Sequence, residues 1–227
     1  MAPAPSDLGR RTASALVLAP LALAAIWLGG WPFYVLIAII TAGLTWEVLH
    51  LSRPAGEVGA RRAPGEGAGL LLIWLAAAAF AWLRADPTAG RTNALFLLAI
   101  VWATDIAAYL IGRTAKGPRL APSISPGKTW SGAVGGLVAA ICAGLAAAAI
   151  TRTSLTHAVV IATALSIIAQ AGDLAESAIK RRRDVKDTSR LIPGHGGLLD
   201  RLDSTLAVSL AAALLVILRG RGVVLWG

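Results

Sequence analysis

The sequence predicts an all-α, polytopic integral membrane protein of about seven transmembrane helices with a polar cavity facing the cytoplasm. Of its 227 residues, 56% are apolar and only 15% are charged, whereas a soluble domain carries about 25% charged residues. The mean hydropathy is +0.70. The apolar residues form repeated runs near the roughly 20 residues that a helix needs to cross a bilayer. The charged residues lie mostly in the loops between those runs.

Seven apolar runs are the candidate spans. They are residues 13–29, 32–51, 68–84, 93–112, 131–150, 156–177 and 204–219. The short Gly29-Gly30-Trp31-Pro32 turn predicts that the first two helices form an antiparallel hairpin. The next connection, residues 52–67, is rich in Gly, Pro and Arg and is typical of a loop.

The distribution of positive charge predicts the orientation. With the N-terminus inside, the inner loops hold 16 of the 21 lysines and arginines, and cytoplasmic loops are the ones enriched in such residues. The net charge of +9 is therefore interpreted as facing anionic lipid rather than nucleic acid. Arg219 and Arg221 fit this orientation poorly, which predicts a broken last span or an additional element.

Ionisable residues inside apolar spans cost at least about 2.5–3.5 kcal/mol each, so they are functional candidates. Glu47 is open to three interpretations: a buried structural acid, a side chain reaching the interface, or a functional group. Asp105 and Tyr109 share one helix face that continues to Arg113, and they form either a helix–helix hydrogen bond or part of a site.

A second group of ionisable residues lies on the sixth span. Asp173, Glu176 and Lys180 are spaced i, i+3 and i+7, which places them on one helix face. The alternative to a site is an internal ladder of salt bridges. Because the two acids lead directly into a cationic loop, a site is the favoured interpretation.

The loop over residues 112–132 predicts an anion-binding surface. Ser123, Ser125, Lys128 and Thr129 lie among Pro and Gly just before the fifth helix, and a helix N-terminus attracts phosphate. The string is not a phosphate-binding P-loop, because Pro122 stands where that motif needs Gly and no preceding strand is predicted. A simple helix-capping loop is the alternative.

Residues 177–203 hold seven cations, four Asp, one His and three Gly. Asp200 and Asp203 share a face if the last helix begins there, and paired carboxylates suit a hard cation such as Mg²⁺. Gly196 and Gly197 allow the backbone to approach a ligand closely. His195 is a metal ligand, a phosphate donor or a turn residue, and the absence of a second nearby His disfavours zinc.

These motifs resemble the phosphatidate cytidylyltransferase (CDP-diacylglycerol synthase) family. The resemblance is strongest over 177–203 and extends upstream to Asp173 with Glu176, to the Ser125-Pro126 and Lys128-Thr129 pairs, and to Asp105 with Tyr109. The chain departs from the family pattern at Lys116-Gly117, usually Gly-Lys, and at Ser131, often Glu. Apart from Trp46-Glu47, the N-terminal part resembles the family only as apolar spans. We therefore expect N-terminal spans over 1–92 and a catalytic membrane region over 93–227.

The resemblance implies transfer of CMP from CTP to phosphatidate, with Mg²⁺ as cofactor and room for a second cation. It implies Asp173, Asp200 and Asp203 as metal ligands, and these three with Lys180 as catalytic residues. The implied substrate-binding residues are Asp105, Tyr109, Arg113, Ser123, Ser125, Lys128, Thr129, Glu176, Arg181, Lys186, Asp187, His195, Gly196, Gly197 and Arg201.

The resemblance also implies a multi-pass protein of the bacterial inner (plasma) membrane with its active site on the cytoplasmic side and no nucleic-acid partner. Ala- and Gly-rich helix faces are compatible with a homodimer. Two alternatives stay open. One is a related CTP-dependent transferase or kinase acting on an ether lipid or a prenol. The other is an ion-coupled transporter, which predicts inverted repeats.

Overall fold

A computed structural model describes residues 5–51, 65–183, 185, 187–189, 191, 196–220 and 224–227. Over this part of the chain it contains seven helices and one small β-hairpin. The helices are α1 (Pro5–Leu28), α2 (Gly30–Leu51), α3 (Glu66–Arg84), α4 (Gly90–Ala115), α5 (Trp130–Thr151), α6 (Leu155–Arg182) and α7 (Leu199–Arg219). The strands are β1 (Arg119–Ala121) and β2 (Ser125–Thr129).

The all-α membrane fold class is confirmed. Within the described residues, the six helices α2 to α7 are long and apolar enough to cross a membrane, and the apolar part of α1 is the shorter segment Leu16–Leu28. Many large apolar side chains are exposed along these helices, among them Leu16, Trp27, Ile39 and Ile217. Such an exterior is stable in lipid and not in water, so the chain is an integral membrane protein.

Two boundaries differ from the predicted ones in a way that shapes the polar end of the molecule. Helix α6 continues to Arg182, beyond the predicted end at 177, and α7 begins at Leu199 instead of 204. The hydrophobic pattern alone cannot show this, because charged residues interrupt both extensions. They bring Lys180, Asp200 and Asp203 onto helices, where their positions are fixed by the backbone.

The predicted turn between the first two spans is shorter than expected. Only Gly29 separates α1 from α2, and both Gly29 and Gly30 have positive φ angles of 67° and 56°. Trp31 and Pro32 lie in the first turn of α2 instead of in the connection. Proline is well tolerated at a helix start because its missing N–H would have no partner there.

Glycine residues allow two helices inside the bundle to pack closely. Added Cβ atoms at Gly132 and Gly136 would lie 2.6 Å from the Ala108 carbonyl oxygen and 2.7 Å from the Thr104 carbonyl oxygen. Helices α4 and α5 can therefore approach only because these positions are glycine. This close contact positions the hairpin, which lies between the same two helices in the chain.

The last span is continuous over Leu199–Arg219, so the predicted break in it is wrong, and Arg219 at its end binds the C-terminal tail. Arg219 donates hydrogen bonds to the carbonyl oxygens of Leu225, at 2.7 Å, and of Gly227. Trp226 is 1% exposed, stacks on Phe96 with ring centroids 3.9 Å apart and donates to Thr151 Oγ1 at 3.1 Å. Arg219 thus serves a folded-back tail; Arg221 lies outside the described residues.

Candidate active site

Four elements bring acids and lysines together at one end of the helix bundle. We call this group the polar cluster and define it as Asp105 of α4, Lys128 of β2, Asp173, Glu176 and Lys180 of α6, and Asp200 and Asp203 of α7. Each member comes from a position that the sequence pattern singled out. The cluster lies at the end of the bundle that also holds the hairpin and the segment between α6 and α7.

Three carboxylates form the centre of the polar cluster. Asp173, Glu176 and Asp203 each offer an oxygen atom within 4.8 Å of the other two. Asp173 and Glu176 are one turn apart on α6, while Asp203 reaches them from α7. Like charges at this separation repel one another, so positive charge close to the three carboxylates stabilises the arrangement.

The Glu176 carboxylate has one buried oxygen atom without a hydrogen-bond partner among the described residues. Glu176 is 8% exposed, and its buried Oε1 makes no hydrogen bond in the described part of the structure. A buried, unsatisfied carboxylate oxygen is costly. Together with its two neighbouring carboxylates, it matches the oxygen ligands that Mg²⁺ prefers, so the residues present fit a hard divalent cation.

Lys180 joins the two helices by a pair of buried salt bridges. Its Nζ lies 2.6 Å from Glu176 Oε2 and 2.7 Å from Asp200 Oδ1. The side chains of the three residues are 12%, 9% and 6% exposed respectively. The predicted face of α6 is thus partly a salt-bridge ladder, as the alternative interpretation expected, and partly the carboxylate centre.

Asp200 faces the backbone of the preceding segment. Its Oδ2 accepts hydrogen bonds from the N–H groups of Gly197, at 2.9 Å, and Thr188, at 3.1 Å. With Lys180 on Oδ1, both oxygens are in use, and Glu176 takes the place beside Asp173 and Asp203 that was predicted for Asp200. Asp200 as a metal ligand stays a prediction.

The β-hairpin, which was not predicted, delivers Lys128 to the carboxylate centre. Lys128 Nζ lies 2.5 Å from Asp173 Oδ2, and the two side chains are 25% and 33% exposed. Thr129 caps α5 by accepting a hydrogen bond from the Gly132 N–H at 3.1 Å. Ser131 donates to the Lys116 carbonyl oxygen, so Thr129 is the residue that caps α5.

Asp105 and the cations around it complete the polar cluster. Asp105 interacts electrostatically with Asp173, Lys128 and Arg201, so α4 contributes to the same region. Tyr109 and Arg113 lie further along α4, where Arg113 donates to the Tyr109 hydroxyl at 2.8 Å and both residues are exposed. The predicted face of α4 is therefore present, and its Asp105 end is the part that interacts electrostatically with Asp173 and Lys128.

The other predicted site residues fall into three groups. Arg181 binds the carbonyl oxygens of Ile124 and Val185, each at 3.2 Å, and so ties the hairpin to the end of α6. Ser123 and Asp187 are exposed, and Ser125 is half-buried. Lys186 and His195 lie outside the described residues.

Glu47 is a site-related residue whose role the sequence left open. It is completely buried and accepts four hydrogen bonds, three from the segment before α7 and one from Leu199, the first residue of α7. The donors include the hydroxyls of Thr188 and Ser189, neither of which the sequence analysis singled out as a site residue. An acid near the inner end of a span was the available signal, but its partners are about 140–150 residues away in the chain.

Two cavities lie away from the polar cluster. One, of about 390 Å³, is at the opposite end and is lined by Arg84, Asp86 and Arg91. The Asp86 carboxylate in this cavity stabilises the turn before α4, because its Oδ1 accepts hydrogen bonds from Thr88 and from the Ala89 N–H. The other, of about 620 Å³, is an apolar groove between α2 and α3. Neither contains a group of carboxylates with lysines, so the polar cluster is the candidate site.

Fold and site together define an integral membrane protein with an acidic and basic centre at one end of its helix bundle. The sequence profile of the Cytidylyltransferase family matches residues 66–218, which contain every member of the polar cluster. The chain belongs to this family.

Individual relatives agree with that assignment. The chain is similar to a phosphatidate cytidylyltransferase of Brucella suis, with 51% identity over 149 residues that cover 65% of this chain and 54% of the relative. It is also similar to the enzymes of that name from Rickettsia felis, with 33% identity over 86% of each chain, and Rickettsia conorii, with 32% identity over 93% and 92%. The chain thus spans about half the length of the Brucella relative and nearly all of the Rickettsia relatives.

Proposed function

We propose that the protein transfers CMP from CTP to phosphatidate, giving CDP-diacylglycerol and pyrophosphate, at the cytoplasmic face of the bacterial inner membrane. The observation that supports this most strongly is the carboxylate centre of Asp173, Glu176 and Asp203 with Lys128 and Lys180 on either side. The name shared by the relatives points to the same reaction.

The chemistry explains why such a centre suffices. The attacking group is an oxygen of the phosphatidate phosphate, whose second pKa of about 6 makes it largely dianionic at neutral pH. It needs little help from a general base. The barrier is the repulsion between this dianion and the triphosphate, so the protein must supply positive charge in a fixed geometry.

Lys128 is suited to meet the nucleotide. Its ammonium group is about one-quarter exposed and rests on Asp173, at the open edge of the polar cluster. A triphosphate entering there offers it more negative charge than one carboxylate does. We propose that Lys128 moves from Asp173 to the phosphates when CTP binds, while Ser123, Ser125 and the start of α5 line the same surface.

Lys180 is suited to present a positive charge at a fixed position to the reacting phosphates. It is fixed between Glu176 and Asp200 and is nearly buried, so its positive charge is preorganised and little screened by water. Arg181 and Arg201 are exposed and add positive charge beside the lipid headgroup region. The acyl chains stay in the bilayer, so phosphatidate enters laterally from the inner leaflet.

Mg²⁺ is the proposed cofactor. Asp173, Glu176 and Asp203 would hold it, with Asp200 as a further predicted ligand and room for a second cation. When bound, the ion supplies Lewis-acid stabilisation of the charge on the transferring phosphate. The unsatisfied Glu176 Oε1 and the neighbouring carboxylates support this proposal, because they fit an oxygen-ligated cation.

The test is a lipid-specificity assay with purified protein in nanodiscs, CTP and MgCl₂. Phosphatidate, its ether-linked analogue and a long-chain prenol are offered separately, and the lipid product is identified by mass spectrometry. We expect CDP-diacylglycerol from phosphatidate, none without divalent cation, and less than one-hundredth of the wild-type rate for Asp203→Asn. Asp86→Asn, at the opposite end, should keep the rate. Exclusive use of the prenol would overturn the proposal, and so would full activity of Asp203→Asn.

A further inference from the structure

Glu47 is a buried carboxylate on α2 that holds the start of α7 from outside that helix. Its Oε1 accepts hydrogen bonds from the Ser189 hydroxyl, at 2.5 Å, and the Leu198 N–H, at 2.6 Å. Its Oε2 accepts from the Leu199 N–H, at 2.7 Å, and the Thr188 hydroxyl, at 3.3 Å. Each oxygen therefore binds one hydroxyl and one backbone N–H.

These bonds supply what α7 lacks at its own N-terminus. The residue at the N-cap position is Leu198, and no side chain there caps the helix. The first N–H groups of a helix have no partners within it and carry partial positive charge. Glu47 satisfies two of these groups and places its negative charge where the helix dipole favours it.

The surrounding surface of α2 is shaped for the same segment. Gly43 lies one turn before Glu47, and a Cβ there would be only 3.0 Å from Leu198 Cδ2. Leu44 and Val48, on either side of Glu47, form an apolar cluster against which Leu198, Leu199 and Leu202 pack. Apolar packing thus brings α7 to α2, and the carboxylate fixes where the helix begins.

The starting residue of α7 decides where its acids point. Asp203 lies one turn after Leu199, and Asp200 lies directly after it. A shift of one residue in the helix start would rotate both acids by about 100° and move them by about 1.5 Å along the axis. Asp203 would then no longer face Asp173 and Glu176.

Glu47 and Asp200 also share a partner. The Thr188 hydroxyl binds Glu47, and the Thr188 N–H binds Asp200. Gly197 lies between the two acids, where a Cβ would be 3.0 Å from Glu47 Oε1 and 3.0 Å from Asp200 Oδ2. The two carboxylates of Glu47 and Asp200 therefore bind the same short segment before α7 from opposite sides.

We infer that Glu47 is a positioning residue for the reaction, which fixes the start of α7 so that Asp203 completes the carboxylate centre with Asp173 and Glu176. The inference rests on the proposed function and adds a residue to it. The four hydrogen bonds of Glu47 go to Thr188, Ser189, Leu198 and Leu199, outside the carboxylate centre. Partners that orient a ligand in this way typically change metal affinity or activity by about 10–100-fold when they are removed.

Asp86 provides a matched control. It is also a buried carboxylate, it satisfies the Ala89 N–H at the start of α4, and it lies at the opposite end of the bundle. Replacing either acid by its amide removes a buried charge and weakens a helix start. Only Glu47→Gln is expected to disturb the carboxylate centre.

The experiment compares wild type, Glu47→Gln, Ser189→Ala and Asp86→Asn in nanodiscs. Mn²⁺ binding is followed by the loss of the free-ion EPR signal without substrate, and turnover is measured across a range of Mg²⁺ concentrations. We expect Glu47→Gln to weaken Mn²⁺ binding at least tenfold and to raise the half-saturating Mg²⁺ concentration by a similar factor. Ser189→Ala, which removes one donor, should show a smaller change in the same direction.

The outcomes separate the inference from the function on which it rests. Asp86→Asn should lower thermal stability while leaving both metal measurements unchanged. If wild type turns over and Glu47→Gln binds Mn²⁺ like Asp86→Asn, the inference is wrong and the proposed function stands. If wild type makes no cytidylylated lipid, the proposed function fails and the inference with it. Should Glu47→Gln not fold, unchanged Mn²⁺ affinity in Ser189→Ala would overturn the inference.

Discussion

Removing the positive charge of Lys180 should destabilise the protein far more than removing an exposed lysine. In Lys180→Met the side chain keeps its length and apolar stem, but Glu176 and Asp200 lose the ammonium group that lies 2.6 and 2.7 Å from them. All three side chains are 12% exposed or less, so water cannot replace it. Breaking a buried pair by removing one partner costs about 3–5 kcal/mol, whereas an exposed pair contributes about 0–1 kcal/mol.

The assay for this prediction is reversible unfolding in mixed micelles, followed by tryptophan fluorescence in the presence of EDTA. We expect the free energy of unfolding to fall by about 3–5 kcal/mol in Lys180→Met and by less than about 1 kcal/mol in the exposed control Lys116→Met. Adding Glu176→Gln to Lys180→Met should recover part of the stability, because it removes one uncompensated charge. It should not recover turnover, which we expect to be about 10²–10³-fold below wild type. Equal stability losses in the two lysine variants would refute the reasoning.

Three further predictions test other parts of the structure. Lys128→Gln should raise the KM for CTP at least tenfold, because the ammonium group of Lys128 is the cation at the open edge of the polar cluster. The control Lys116→Gln, in the same loop, should leave this KM unchanged. Steady-state kinetics measures both values, and equal KM values for the two variants would contradict the proposed role of Lys128. Gly197→Ala should lose turnover and stability, since the new Cβ would meet Thr188 Oγ1 and lie 3.0 Å from Asp200 Oδ2, whereas Gly127→Ala, with open space around it, should resemble wild type in both measurements. Trp226→Ala should lower the free energy of unfolding by about 3–5 kcal/mol, as expected for a buried aromatic residue. The KM for CTP should stay unchanged, and a changed KM would mean that the C-terminal tail affects the polar cluster.

The helices were the most predictable part of the fold. Long apolar runs must become helices in a bilayer, because every backbone polar group has to be satisfied within the segment. The predicted spans therefore agree with the helix bounds to within a few residues at most ends. The exceptions are where polar residues extend a helix, as at Lys180 and Asp200, since hydropathy carries no signal there.

The acids of the polar cluster were predictable because charge inside a span is costly and rarely accidental. The spacing of Asp173 and Glu176 placed them on one face, and the structure brings Asp203 to them. Which acids form the carboxylate centre was not predictable. Whether Asp200 or Glu176 completes the trio depends on which carboxylate the segment before α7 engages, and that depends on three-dimensional packing.

Neither the β-hairpin nor the role of Glu47 could be predicted from local sequence patterns. Strands of three and five residues are too short for a hydrophobic period, and the Pro and Gly residues of this loop favour a turn prediction. The partners of Glu47 lie at the far end of the chain, so no local pattern links them. The family resemblance at Trp46-Glu47 marked the position without indicating its contacts.

The most direct test of the central claim follows the phosphorus atoms of CTP. Purified protein in nanodiscs containing phosphatidate is given CTP labelled with ³²P at either the α- or the γ-position, and the lipid is extracted. For wild type we predict that the α-label appears in the lipid, that the γ-label is released as pyrophosphate, and that Asp173→Asn abolishes both. Transfer of the γ-label to lipid would indicate a kinase and contradict the account, as would undiminished transfer of the α-label by Asp173→Asn.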